Sequence, residues 1–397
     1  MSFQRSIARR VGAAAAAVCS LSGLALGASA SPASALDTVK AGFAVVGGNE
    51  PIGSFVDMSS TAAYNSAGVG PAGAPASVYH VKTGYYEVRF PGLATPKAQT
   101  EAVGVHARAN GDANCMVEYD LTTYSSYVGI PVTCFDSNGQ YVDTPFTVTY
   151  TSGGSDTSGN VVSALTNHDF ATASGQQTAL RQQSSVGGSV TYNRSGTGAY
   201  SFDLPYLSNP GAETFTATAV TPGSPYGPQL RDVTCGISNK TTVNTSTGPT
   251  RRVFVSCTDA VTGQPTDSRV SLTYARGSNV LGRNFSLGEA YLATPKMTNI
   301  GWTTLTDTQA HDKIYGVPGT VTVQRMAPGT YTVDLPHQGW GSSQPSIMAT
   351  PDGSTANCSV VGSYITKSDT QHVTVLCRNA GTYTDTGFNL QFLTKSN

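Results

Sequence analysis

The chain has 397 residues, 23 Lys+Arg against 24 Asp+Glu, and only 12% of its residues are charged. A near-neutral balance with no basic stripe argues against nucleic acid as a partner. Apolar alternation along most of the chain, beside 43 Gly, argues against disorder and suits a β-protein with many tight turns.

Residues 1–35 read as an export signal. Arg5, Arg9 and Arg10 make a positive start, an apolar run covers 11–26, and two small-residue sites follow, Ala28-Ser29-Ala30 and Ala33-Ser34-Ala35. Cleavage is expected after Ala35 by the general secretory route. Arg9-Arg10 leaves the twin-arginine route open, although the residues around the pair fit that pattern poorly. The run falls short of the roughly 20 apolar residues a membrane span needs, and no later segment could span. Cys19 lies inside the run after Ala16-Ala17-Val18, a poor lipobox, so it is read as part of the signal core. Removal of 1–35 takes Lys+Arg from 23 to 20 against 24 acids, a net charge of −4.

Past the signal, similar blocks come three times in one order. Each round opens on an apolar stretch: Phe43-Ala44-Val45-Val46, then Val161-Val162-Ser163-Ala164-Leu165, then Ala290-Tyr291-Leu292-Ala293. The next block is Gly-x-Tyr-x-(Val/Phe)-x-(Phe/Leu)-Pro, at 84–91, 198–205 and 329–336. Apolar side chains on every second residue predict a strand with one buried face. Glycine opens it from a turn; proline, which cannot donate to a ladder, ends it. A further run such as Val103-Gly104-Val105 comes before the cysteines.

Two cysteine blocks follow. Cys115 alternates with Val117, Cys235 with Ile237, and Cys358 with Val360; then Cys134 closes Val128-x-Ile130-x-Val132, Cys257 follows Val253 and Val255, and Cys377 follows Val373 and Val375. Each cysteine shares the parity of its apolar neighbours, so both sulfurs of a pair should point into the core. The gaps are 18, 21 and 18 residues. Pairing inside each round is expected, Cys115–Cys134, Cys235–Cys257 and Cys358–Cys377, because export favours oxidation. Each closed loop should contribute about 3 kcal/mol. With no Cys-x-x-Cys or clustered His, zinc is not expected.

The last block alternates again: Phe146, Val148, Tyr150; Val270, Leu272, Tyr274; Phe388, Leu390, Phe392. Ahead of it stand Gly139 and Asp143, Gly263 and Asp267, Gly381 and Asp385. The expected role is a glycine turn whose Asp bonds its own local backbone. A calcium loop with Asp136, Asn138 and Asp143 as oxygen ligands is the sharper alternative, opposed by the low acidic count.

Seven or eight short strands per round, with turns at roughly 8–12-residue intervals and no helical period, predict an all-β protein. The expected architecture is three tandem antiparallel β-sandwich domains, Ig-like or jelly-roll-like, over 36–152, 153–276 and 277–397, after the signal peptide. The stretches 153–159 and Arg276-Gly277-Ser278 would link them. A single propeller is the rival fold, but propellers usually repeat at a shorter period.

The pattern Gly-x-Tyr-x-Val-x-Phe-Pro, Val-x-Val-x-Cys, Asp-(Ser/Thr)-x-Phe-Thr-Val-x-Tyr resembles a module that recurs in secreted, uncharacterised actinobacterial proteins. Residues 84–91, 132–136 and 143–150 carry it best, with Tyr64-Asn65-Ser66-Ala67-Gly68. The later rounds depart from the Tyr-Asn-Ser part. The resemblance implies an exported actinobacterial protein and transfers no functional residue.

Chemistry-bearing motifs are sparse. His80, His106, His168, His311, His337 and His372 show no metal-ligand spacing, and neither Gly-x-Ser-x-Gly nor Ser-x-x-Lys occurs. Asp203 and Asp334 occupy matching outward sites where the first round has Arg89, and Glu118 with Asp120 reads as an exposed pair. Tyr86, Tyr200 and Tyr331 are expected in the core. The candidate binding surface is Tyr119, Tyr124 and Tyr127 around the first cysteine loop, with Trp302 and Trp340, since flat rings suit sugars or protein partners.

The sequence thus predicts a secreted, non-catalytic binding or structural protein with no cofactor or metal. Its partner would be a cell-surface polysaccharide or another extracellular protein. The chain ends in Thr394-Lys395-Ser396-Asn397 with no sortase-type signal, so release or loose wall association is expected. A secreted hydrolase or hydrolase inhibitor with an unrecognised site is the alternative.

Overall fold

Alternating blocks become strands throughout the computed structural model. It describes 40–395 apart from 67–74, 95–102, 119–121, 124–125, 153–158, 167–175, 180, 208–210, 222–230, 247, 278–279, 282–286, 315–316, 339–343 and 367–368. Every element among the described residues is a strand. The tyrosine strands Tyr85–Pro91, Ala199–Pro205 and Thr330–Leu335 bury every second side chain, as their period demands.

In each of the three segments the strands follow the same order in two sheets. In one sheet the first-cysteine strand (Asn114–Glu118, Val233–Thr245, Asn357–Ile365) pairs with the second-cysteine strand (Tyr127–Phe135, Gly248–Asp259, Gln371–Asn379). That strand pairs in turn with the tyrosine strand. In the other sheet the opening strand (Lys40–Val46, Asn160–Leu165, Leu287–Ala293) pairs with the last strand (Phe146–Ser152, Arg269–Arg276, Gly387–Lys395). The last strand pairs with a joining strand (Val103–Ala109, Thr214–Thr221, Ser346–Asp352). Side chains from both sheets share one apolar cluster per segment, such as Val46, Val88, Val105, Val132 and Phe146 in the first. The arrangement is sandwich-like.

Sheets also cross from one segment to the next. The joining strand Thr214–Thr221 pairs in parallel with Asn114–Glu118, placing Val220 by Val117 and Thr221 by Glu118. Ser346–Asp352 meets Val233–Thr245 in parallel through Asp352 and Ile237. These joints produce two ten-stranded sheets. Asp37–Asn397 forms one unit of packing. Of the stretches read as linkers, residues 153–158 of 153–159, and Ser278, lie outside the described residues.

Period two identifies the last strands but not what covers their polar side. Phe146–Ser152 is buried along its whole length, Thr147, Thr149 and Thr151 included. Those polar faces meet other segments instead of water. His106 bonds Thr218 at 3.0 Å and Thr273 at 2.7 Å, while Arg108 donates to the carbonyls of Ala217 and Cys235. Gln391 donates to Thr216. Short hydroxylated side chains suit such a seam, because each buried polar group needs a partner close by. Burial holds the His106 imidazole down at about 3, so it stays neutral.

All three expected disulfides are present, with cysteines directly opposite on adjacent strands and Cα atoms 4.1 Å apart in each. On reduction under denaturing conditions the mature chain should gain two hydrogens per bridge, about 6 Da by intact mass. An unchanged mass would show that the thiols were never oxidised.

Candidate functional site

The recurring Gly-x-Tyr and the recurring Asp are one device. Gly84 N–H donates to Asp143 Oδ1 at 2.7 Å and the Tyr86 hydroxyl at 2.9 Å. Gly198 and Tyr200 do the same to Asp267, at 2.8 and 3.1 Å, as do Gly329 and Tyr331 to Asp385, at 2.9 and 3.3 Å. The three glycines have φ of 67°, 65° and 64°. A Cβ there would lie 2.8, 2.3 and 2.4 Å from the carbonyl oxygen of the second cysteine, so only glycine fits. A further side chain completes each clamp. Arg194 and Arg325 grip Asp267 and Asp385 through Nε and Nη2. In the first segment the buried His80 takes that place, 3.0 Å from Asp143, with its other ring nitrogen on the Glu50 carbonyl.

This differs from the sequence expectation, in which each Asp served its own turn. Asp136 does that work instead, accepting the N–H groups of Asn138 and Gln140 at 2.8 and 2.9 Å. Asp143 reaches across to another strand. Among the described residues no group of three His, Cys, Asp or Glu side chains is placed to hold a metal. The Arg325 bond holds the Asp385 carboxyl below the ordinary carboxylate range. At Asp143 and Asp267 burial pushes the other way and is outweighed. The opposing groups are the Gly84 N–H, Tyr86 and His80 at Asp143, and Arg194 with the Gly198 N–H at Asp267. The clamps are structural.

The outward face of the first segment is a different kind of site. With Tyr86, Val88 and Phe90 pointing inward, Tyr85, Glu87 and Arg89 point outward. Glu87 holds Arg89 through two hydrogen bonds of 2.9 and 3.0 Å. The guanidinium sits 4.2 Å from the Phe55 ring centre, 4.7 Å from Tyr127 and 6.0 Å from Tyr79. Phe55 and Tyr79 stack at 4.3 Å, and Phe55 is 54% exposed. Opposite Arg89 stands Gly129, where a Cβ would come within 2.4 Å of Glu87 Oε1. The missing side chain makes room for the Glu87–Arg89 fork. Three rings and a planar cation thus share one face, able to stack on a flat ligand and bond its polar rim.

Of the surface expected from sequence, Tyr127 belongs to this platform. Trp302, 52% exposed, lies in the edge strand Gly301–Thr304 opposite Gln324, the place that Phe55 holds opposite Tyr79. Tyr119, Tyr124, Trp340 and His168 lie outside the described residues. Sequence reading missed Phe55, Tyr79 and Arg89. Phe55 sits in a three-residue strand too short to show a period. The outward parity of Arg89 was the available signal.

The second segment's matching face is polar, with Asp203 taking two bonds from Arg252 at 2.6 and 2.8 Å. In the third, Asp334 bonds His372 at 2.6 Å and Tyr364 stacks on that ring at 4.7 Å. Glu118 is not exposed as its spacing suggested. It is 2% exposed and accepts a 2.7 Å bond from Thr133, because the second segment's joining strand covers its edge; Asp120 lies outside the described residues. Two buried acids stand apart from the platform. Burial pushes Asp232 up to about 7 and Asp312 up to about 6. No family model, no curated protein and no solved structure matches the chain.

Proposed function

We propose that the chain is a secreted, non-catalytic protein of three tandem β-sandwich domains that binds a cell-surface polysaccharide through outward aromatic faces. The observation that carries this reading is the platform of Phe55, Tyr79, Tyr127 and Arg89. A sugar ring presents an apolar face to such rings and its hydroxyls to the Glu87–Arg89 fork. Trp302 at the matching position of the third segment adds a second contact, and two weak contacts on one polymer multiply. The three disulfides suit an oxidising compartment, which supports export by the leader expected at 1–35.

The test is retention of the mature protein on insoluble peptidoglycan, chitin and cellulose. Binding to one of them is expected, and Phe55→Ala should weaken it about tenfold, with Trp302→Ala adding to the loss. Retention on none of the three, or equal retention of both variants, would end the polysaccharide reading.

A further inference from the structure

Two grooves occupy matching places in the fold. One lies where the second segment meets the third and is lined in part by Glu213, Lys240, Arg251, Lys296 and Asp352. The other lies where the third segment meets the first, with a volume of ≈ 540 Å³, and its lining includes Val45, Asn110, Pro145, Ser363, Tyr364 and Gln371. Strand register equates them. Lys240 faces Val253 as Ser363 faces Val373, and Arg251 faces Thr242 as Gln371 faces Ile365. Asp352 follows the partner of Phe388, as Asn110 follows the partner of Phe146.

Their chemistry differs. The first groove is bridged by its own ion pairs, Lys240 to Asp352 and Arg251 to Glu213. No described residue lining the second carries a charge. The strand edges differ in the same sense. Beyond a bulge at the same place, the second segment reads Ser238-Asn239-Lys240-Thr241-Thr242 and the third reads Val361-Gly362-Ser363-Tyr364-Ile365. A polar edge with a lysine resists pairing with other chains, and an apolar one invites it. Tyr364 is 59% exposed and Ile365 48%.

Joining strands reach the far edges of the first and second segments' first-cysteine strands only at Val117–Glu118 and at Ile237, so beyond the bulge the charged 239–242 edge is as open as its third-segment match. Asn357–Ile365 pairs with no strand there among the described residues. Alternate N–H and C=O groups over 361–365 are therefore left to the groove side.

We propose that this groove docks an extended, uncharged segment of a partner polypeptide, which adds as a strand to the edge at 361–365. The edge supplies main-chain hydrogen bonds. The charge-free walls favour an uncharged chain, since a charged side chain would lose its water without gaining a counter-ion. The site begins just past the position matching Ile237, where the second segment's joint with the third ends. It shares no residue with the aromatic platform and stands independently of polymer binding.

The probe is a capped synthetic peptide with the sequence of 214–221, an uncharged strand of this chain that pairs in parallel with a first-cysteine strand at Val117 and Glu118. Amide hydrogen exchange of the full mature chain should slow about tenfold or more over 361–365 when the peptide is added. Ser363→Pro removes an outward-facing donor from the edge, since 362, 364 and 366 bond the neighbouring strand, and Tyr364→Lys gives it a charge like that of the second segment. Either should weaken peptide binding about tenfold, and Tyr364→Lys, at an exposed position, should keep the thermal midpoint. Unchanged exchange at millimolar peptide would overturn the proposal. So would protection produced by cellohexaose in place of peptide, or protection that grows with protein concentration alone and marks a second copy. Loss of the peptide response in Tyr364→Lys with polymer retention intact would separate this site from the platform.

Discussion

Asp267→Ala should lower the unfolding free energy by about 2–4 kcal/mol at pH 7, read from urea denaturation. One carboxylate there takes an N–H from Gly198, a hydroxyl from Tyr200 and two bonds from Arg194. Its loss leaves a glycine N–H in a left-handed turn and a buried phenol short of a partner. The phenol retains one contact, since it accepts the Ser268 N–H at 3.1 Å. Arg194 is 26% exposed and can turn to water, which keeps the cost from rising further. The carboxyl titrates lower in the folded chain than in the unfolded one. Its stabilisation is therefore whole above the unfolded value of about 4 and lost as pH falls through the folded value. The gap between wild type and variant should shrink steadily below pH ~4. A gap that ignores pH, or one under ~0.5 kcal/mol at pH 7, would show that the clamp does not anchor the turn.

Asp232→Asn should act in the opposite direction and stabilise the chain by about 1–3 kcal/mol at pH 8. Asp232 is 6% exposed, accepts a 2.6 Å bond from Asn114 and is pushed up to about 7 chiefly by burial. An acid whose folded value lies above its unfolded one binds more protons when folded. Wild-type stability should then fall between pH ~4 and ~7 and level off above. The amide keeps the acceptor for Asn114 and carries no charge to desolvate. Thermal midpoints of the two proteins should coincide near pH 4 and separate by pH 8. A variant less stable than wild type at pH 8 would place a favourable ion pair where burial is inferred to dominate.

Much of the strand inventory was legible because period two is a local property. Tyr86-x-Val88-x-Phe90 announces its buried face whatever lies elsewhere. The disulfides were legible for the same reason, as parity placed both sulfurs inward. What required the structure is long-range. Nothing near Asp143 indicates that its partners are Gly84 and Tyr86, about 60 positions away. Threonines on the outer parity of Phe146–Ser152 look solvent-facing until another segment covers them. The aromatic platform was half legible. Tyr127 stood out by clustering with other tyrosines, whereas Phe55 gains meaning only when strand pairing brings Tyr79 and Arg89 beside it.

The parallel joint between Thr214–Thr221 and Asn114–Glu118 has a consequence for anyone cutting the chain into pieces. Severing the first segment from its neighbour would bare the backbone beside Val117, strand Glu118 without its lid, and open the threonine seam to water. Such a fragment would meet its own kind at that raw margin. Expression boundaries are better set outside 37–397 than between its parts.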